Sequence, residues 1–304
     1  MVRRALSLIV LLALAPGINA DIFTWRDESG RVHFGDREPD NRPVQRLTIG
    51  THAGERLRIT EHHRDFEFSN AGRERIERGI RQIFDIYTQS FALDVRGRVE
   101  VNLHLFNHQA DYRTWLQSRL GRAPLTTGAF LTETNEVGVW RWGNENQVIN
   151  TILHEASHVI LHQLAPTAPV WLHEGLAQYF EGLREDDQHT WIEPNHEAMA
   201  RIRTWISNNE LISIRRYLSI PEPQWVQMAH DRDAVPYTIA WGLVYFLMSR
   251  PVGEQTIRRI LHDLEKSGLP PTLERINSRY PGGILQLEYE FFRWAQSEPQ
   301  PHRY

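Results

Sequence analysis

Cysteine is absent from the 304 residues, which excludes a disulfide framework, a thiol for lipid attachment and a thiolate metal site, so any metal must be held by His, Asp or Glu. Lysine is nearly absent: of 34 basic side chains only Lys266 is a lysine, and it follows Glu265. A phosphate-binding Gly-Lys-Ser/Thr loop is therefore excluded, and neither GxGxxG nor GxSxG occurs. Positive charge is not in excess either. The formal net charge is -4, and it is more negative without Arg3 and Arg4, so there is no basic field to attract nucleic acid and no nucleic-acid partner is expected. No EF-hand loop is present to bind calcium.

Arg3 and Arg4 precede an apolar run from Ala5 to Ala15, then Pro16, Gly17 and Ala20. This is the pattern of a signal peptide over residues 1–20, with cleavage leaving Asp21 first. The run is too short to cross a bilayer core, which takes about 20 residues. The expectation is an exported, soluble protein with no stable membrane span.

A hydrophobic fraction of 41% is that of a chain with a packed core. IFTWRDESGRVHF (22–34) sets aromatic and aliphatic residues on both sides of a turn, a hairpin signature, and predicts a small β module over 21–50. DREPDNRPVQ then reads as a linker, with a second break at GTHAGE (50–55). The second predicted domain spans 55–299. It opens with a strand-like segment from Arg56 and a helix from about Ala71 to Phe91, where Ile76, Ile80, Ile83, Phe84 and Tyr87 recur at helical spacing. VEVNLHLF (99–106) alternates as a strand, DYRTWLQSRL (111–120) is a short helix, and GAFLTETNEVGVWRW gives two strand-like runs. Two helices follow, one bearing HEASH and one from Trp171 to Phe180. The remainder reads as mostly helical, with breaks at ISNNELIS, PEPQ, Arg250-Pro251 and GLPP. The predicted class is α+β.

The five residues HEASH, His154 to His158, carry the chemistry. On a helix the two histidines lie within about 40° of each other and about 6 Å apart along the axis, so both imidazoles reach one ion. Glu155 lies about 100° round, beside that ion, where a carboxylate can take a proton from metal-bound water. The opposite side of the helix is apolar through Ile152, Leu153, Val159, Ile160 and Leu161, and a buried Glu between two histidines is costly without a compensating cation. His162, His173 and Glu174 are candidates for a third ligand. His162 lies about 12 Å along the axis from His154 and cannot share its ion. His173 and Glu174 are adjacent, so at most one of them faces the site.

HEASH followed by WLHEGLAQYFE resembles the gluzincin zinc metallopeptidases, and more closely their peptidase-MA-like branch. The resemblance covers most of residues 55–299. It implies a zincin-type catalytic domain: a mixed sheet with an edge hairpin above the HExxH helix, then a mostly helical C-terminal half. It also implies one zinc per chain held by His154, His158 and Glu174, with Glu155 as general base. In that branch a tyrosine shortly before a hydrophobic helix stabilises the oxyanion, and VPYTIAWGLVYFLM (235–248) matches at Tyr237; Tyr245 and His230 are rivals. Zincins lay substrate along an edge strand above the active-site helix, which makes Phe130, Val139 and Trp140 candidates to face it. Asn150 or Thr151, one turn before His154, and Gln178, one turn after Glu174, stand where they would hydrogen-bond the ligands.

IFTWRDESGRVHFGDREP is similar to a small module of unknown function found behind signal peptides in Gram-negative envelope proteins. The likeness rests on Trp25, Gly30, Val32, Phe34, Asp36 and Pro39, and it implies a periplasmic location and makes a cell-envelope component a candidate partner. The expected function is an exported zinc-dependent peptidase acting on a peptide or protein substrate. Endopeptidase is favoured because the GxMEN-type motif of zinc aminopeptidases is missing, although Glu133, Glu136 and Glu145 are available as acidic anchors. The alternative is a catalytically silent envelope binding or assembly factor that retains a zincin fold.

Overall fold

A computed structural model describes residues 21–26, 32–35, 45–48, 56–186, 188–230 and 234–304. The predicted signal segment lies outside the described residues, as do Gly30, Asp36, Pro39 and almost all of the predicted linker. The chain divides into two compact units, residues 1–53 and 54–304.

In the first unit, β1 (Asp21–Arg26) pairs antiparallel with β2 (Val32–Gly35), with Phe23 opposite Gly35 and Arg26 opposite Val32. A third strand, β3 (Gln45–Thr48), pairs with the other edge of β1. Nothing in its sequence announces it, because Gln45 follows directly on a run of turn formers.

The second unit is α+β. Its main sheet has the order β4-β5-β7-β6, built from β4 (Leu57–Arg64), β5 (Val99–Phe106), β6 (Gly128–Leu131) and β7 (Glu136–Trp140). The first three in that order run parallel, and β6 returns antiparallel as an edge strand. Period-2 alternation puts Val99, Val101, Leu103 and Leu105 of β5 on one face, all buried. Against that face pack α1 (Asn70–Asp85) and α3 (Glu145–Leu164), and against the other packs α2 (Gln109–Leu120). Close approach on the α2 side depends on Gly138 of β7, whose missing side chain leaves room for the Trp115 ring.

The helix predicted from Ala71 to Phe91 ends at Asp85 and continues as one wide π turn, Ile86–Ser90. Within it the Tyr87 hydroxyl meets Ser157 Oγ of α3 at 2.8 Å, both residues being buried. At the opposite end Ser69 caps α1, and its Oγ and backbone N–H both donate to the carboxylate of Glu145, the first residue of α3. α3 itself starts with a reciprocal cap between Asn144 and Gln147. Ties therefore hold it at its first residue and at Ser157.

After α3 come α4 (Val170–Glu181), α5 (His196–Ser207), α6 (Ile214–Leu218), α7 (Glu222–Ala229), α8 (Val235–Met248), α9 (Pro251–Ser267), α10 (Leu273–Arg279) and α11 (Gly283–Ala295). PEPQ marks a start and not a gap, since α7 begins at Glu222 with Pro223 in its first turn. α8 is apolar on nearly every side and buried, as a central helix must be. It crosses α4 at Gly175, where an added Cβ would lie 2.7 Å from the Ala240 carbonyl oxygen and 2.6 Å from Val244.

The C-terminal half is not wholly helical. β8 (Leu183–Glu185), β9 (Thr190–Ile192) and β10 (His302–Arg303) form a second small sheet that stitches the end of the chain to the segment after α4. The Tyr179 hydroxyl supports it, at 2.9 Å from His302 Nδ1 and 2.8 Å from the Tyr304 hydroxyl. The unit therefore extends past residue 299. No helix among the described residues is long and apolar enough to cross a membrane.

Gly138→Ala should force the rigid indole of Trp115 or the β7 backbone to move, at a cost of about 1–3 kcal/mol. The expected result is a lower thermal midpoint, by about 2–4 °C per kcal/mol lost, with metal content unchanged. An unaltered midpoint in a calorimetric scan would show that the sheet yields there freely.

Candidate metal centre

α3 projects His154 and His158 from one face, as their spacing requires. Their Nε2 atoms lie 3.1 Å apart. From α4, Glu174 Oε2 reaches within 3.6 Å of each. A tetrahedral ion with bonds of about 2.0–2.1 Å separates its ligands by about 3.4 Å, so the triangle has the size of one face of such a coordination shell. The three side chains are 17%, 11% and 18% exposed respectively.

The polar accounting points the same way. Glu174 Oε2 is buried and has no hydrogen-bond partner, a costly state for a carboxylate oxygen unless a cation satisfies it. Two imidazole Nε2 atoms and one carboxylate oxygen facing one point are three acceptors with no donor among them once both rings carry their proton on Nδ1. These residues fit a divalent cation.

The Nδ1 atoms have partners that favour that tautomer. His154 Nδ1 lies 2.6 Å from Glu181 Oε1, and His158 Nδ1 lies 3.4 Å from Nδ1 of His173. Outer partners of this kind fix the ring and turn the Nε2 lone pair inward. Burial lowers His154, but the Glu181 hydrogen bond and the surrounding carboxylates outweigh it and raise the group to about 9 before any cation binds. Burial, reinforced by His158, pulls His173 down to about 3, which keeps it a neutral acceptor. Burial also works against a charged Glu174, yet the two imidazoles beside it hold its carboxyl below the usual range.

Glu155 is 8% exposed. Burial raises its pKa, partly offset by His154 and His158. The edge strand passes directly over it: a Cβ on Gly128 would sit 2.8 Å from Glu155 Oε1. Two lobes of one cleft meet at His154 and Glu155. The larger, of about 510 Å³, is walled by Phe130, His162, Ala168, Val170, Glu222 and Tyr237. The smaller, of about 270 Å³, is walled by Trp142, Gln147, Asn150, Thr151 and Glu181.

Tyr237 enters from the first turn of α8, its ring edge-on to Trp225 at 5.0 Å. Burial, reinforced by Glu174, pushes its pKa upward and keeps the hydroxyl protonated. The rivals lie elsewhere. Tyr245 is buried and donates to the carbonyls of Ile192 and Gln300, while His230 is exposed and does not line the cleft. Tyr217 was not legible as a contributor. It donates to the Pro236 carbonyl at 2.8 Å and accepts from Trp225 Nε1 at 3.1 Å, pinning the start of α8 beside Tyr237.

Of the three residues proposed to face substrate, the structure brings only Phe130 to the cleft, stacked beside His158 and edge-on to His162. Val139 is enclosed in the main core. Trp140 packs toward α2 and donates to the Thr126 carbonyl. The reason is strand order: β7 is internal, and β6 is the edge. The expected ligand supports are displaced too. Asn150 accepts from Arg75 and Thr151 donates to the Gln147 carbonyl, while Gln178 makes no hydrogen bond to a ligand. Glu181 and His173 take that role, and both lie on α4, Glu181 two turns beyond Glu174.

Residues 148–266 match a family described as a protein of unknown function (DUF1570), and residues 9–52 match one described as a domain of unknown function (DUF4124). The first match spans the triad and Tyr237. No curated protein matches the chain.

Replacing Glu181 by Ala should weaken metal affinity about 10- to 100-fold, read by competition against a chromophoric chelator. Its side chain is 41% exposed, so folding should be unaffected. Gln178→Ala is the control and should leave affinity unchanged. Equal affinities for Glu181→Ala and the parent protein would remove Glu181 from the site.

Proposed function

We propose that this protein is an exported, periplasmic zinc-dependent peptidase of the gluzincin type, and that it cleaves internal peptide bonds. The observation that carries the reading is the unpartnered Glu174 Oε2, 3.6 Å from both histidine Nε2 atoms, with a buried carboxylate, Glu155, next to it. Further support comes from DUF1570, a family often associated with peptidase-like zincin proteins. Export is supported by the signal-peptide pattern of residues 1–20, and the periplasm by the likeness of residues 22–39 to a module found behind signal peptides in Gram-negative envelope proteins.

His154, His158 and Glu174 would hold the ion. Zinc bound there supplies Lewis acidity, which polarises a carbonyl and acidifies water. The protein's own groups do the rest. The Glu155 carboxylate, raised by burial, accepts a proton from the attacking water and returns it to the departing amine nitrogen. Tyr237, held protonated, donates its hydroxyl to the oxygen that gains charge in the transition state. The unpaired edge of β6 offers backbone N–H and C=O groups to an extended peptide, which orients the scissile bond over Glu155.

Three features favour internal cleavage. Lobes open on both sides of Glu155, leaving room for substrate on each side. No arginine or lysine among the described residues lines either lobe, so no cation is present to hold a C-terminal carboxylate. The three glutamates considered as anchors for a free amino terminus are engaged or distant: Glu136 pairs with Arg119 and His104, Glu145 accepts from Ser69, and none of Glu133, Glu136 and Glu145 lines the cleft.

Glu155→Gln is expected to abolish hydrolysis of an unstructured protein substrate while keeping about one zinc per chain by elemental mass spectrometry. Tyr237→Phe should lower kcat by about 10²–10³ with KM little changed. Zinc retained with undiminished cleavage in Glu155→Gln would sink the mechanism. Failure of the parent protein to take up zinc would sink the metal assignment.

A further inference from the structure

Gln147, Asn150 and His154 fall at i, i+3 and i+7 along α3, so one stripe of the helix lines the smaller lobe of the cleft. Both amides on that stripe have their oxygens taken. Asn150 Oδ1 accepts from Arg75 Nη2 at 3.1 Å and from Arg184 Nη1 at 3.4 Å, and Gln147 Oε1 accepts from the Asn144 N–H at 3.0 Å. Turning either amide over would set N–H against N–H, so its orientation is fixed by its donors. What is left for the lobe is Asn150 Nδ2 and Gln147 Nε2, neither of which has a partner among the described residues.

The remaining groups complete the pattern. Thr151 Oγ1 accepts from Trp142 Nε1 at 3.1 Å and donates to the Gln147 carbonyl, which sets the Trp142 ring as one wall. Thr127 adds a hydroxyl that serves as donor or acceptor alike. Glu181 gives Oε1 to His154 Nδ1, and its Oε2 has no hydrogen-bond partner among the described residues. Arg184 Nη1 donates to the Glu181 carbonyl as well as to Asn150 Oδ1, so Glu181 and Asn150 are neighbours.

Resting on the peptidase reading, we propose that this lobe is the subsite that selects a carboxamide side chain, glutamine or asparagine, beside the scissile bond. The carboxamide oxygen accepts from Asn150 Nδ2 and Gln147 Nε2, its NH2 donates to Glu181 Oε2, and its stem lies against Trp142. A carboxylate would set its charge against Glu181 and Glu155. Arg75 and Arg184 do not rescue it, because both spend N–H groups on protein oxygens and neither lines the lobe. A lysine or arginine would bring N–H groups to the two amide donors, and an aliphatic chain would leave donors and acceptor alike unpaired. A backbone amide is no substitute, since its C=O and N–H point in opposite directions, whereas a carboxamide carries both at one end.

The test uses the full chain and alanine-based peptides in which one residue, Gln, Glu, Lys or Leu, is moved along the sequence. Binding is read by calorimetry in the presence of chelator, so that it is scored whether or not the peptides are turned over, and cleavage is read by mass spectrometry with zinc supplied. At one position Gln is expected to bind about tenfold or more tighter than Glu, Lys or Leu, with cleavage next to it. Asn150→Asp keeps the oxygen that the arginines contact and turns the free nitrogen into a second oxygen. Gln147→Glu does the same while keeping the cap of α3. Each should remove most of the Gln-over-Leu ratio, a quantity that a merely structural role would not move. A Gln preference lost in these variants, but without zinc-dependent cleavage by the parent, would sink the peptidase reading and leave the subsite standing. Zinc-dependent cleavage with no Gln preference, a preference retained by the folded variants, or no saturable binding of any peptide overturns the proposal.

Discussion

Two imidazole nitrogens and a carboxylate oxygen, buried and held against one another, set the terms for the rest of this structure. Burial deprives all three of water, and only the proton that His154 takes up, with its pull on the Glu174 carboxylate, offsets that cost. Such a cluster persists only if the elements that carry it are fixed more firmly than the cluster pushes. α3 is capped at its start, clasped to the head of α1 through Glu145 and Ser69, and joined to the π turn through Ser157 and Tyr87. α4 is pressed against α8 at a glycine immediately after Glu174. The ties at Ser157 and Gly175 are next to His158 and Glu174, where a shift of an ångström would matter most.

The same close crossing explains how residues far apart in sequence share one cleft. Without a side chain at Gly175 the backbones of α4 and α8 approach closely, which brings Tyr237 to the side of Glu174. Tyr217 and Trp225 then hold the first turn of α8 by hydrogen bonds to Pro236 and to each other. The helical half thus does more than complete the core. It delivers one wall of the cleft and supports it with a buried aromatic network.

What the sequence could disclose follows from the range of each interaction. Helices and strands with a strong local period, such as α3 and β5, were legible because burial of one face is written into successive residues. The ring pair on α3 was legible for the same reason, being a spacing within one helix. Glu181 was not, because its contact with His154 depends on the pitch at which α4 passes α3, a tertiary quantity with no local signature. His173 was weighed only as a ligand. Adjacent helical residues point about 100° apart, so with Glu174 turned to the two Nε2 atoms, His173 falls beside His158 Nδ1. Val139 and Trp140 were misplaced because strand order, not strand position in the chain, decides which edge is open. β10 was missed because two residues are too few to carry a period.

The cleft is a stability cost as well as a site. Glu155 raises its pKa by being buried on a helix whose other faces belong to the core, and Glu174 and Glu181 add negative charge within reach of it. No arginine or lysine among the described residues lines either lobe to offset them. Proton uptake by His154, raised to about 9 through Glu181, relieves part of the repulsion, but a proton on one ring cannot bridge three ligands. A divalent cation held by the three would bridge them, and it would favour the folded arrangement over an open chain, adding its free energy of binding to that of folding. The acidity that burdens α3 and α4 is thus the same property that would couple their stability to a cation, and neither could be reduced without weakening the other.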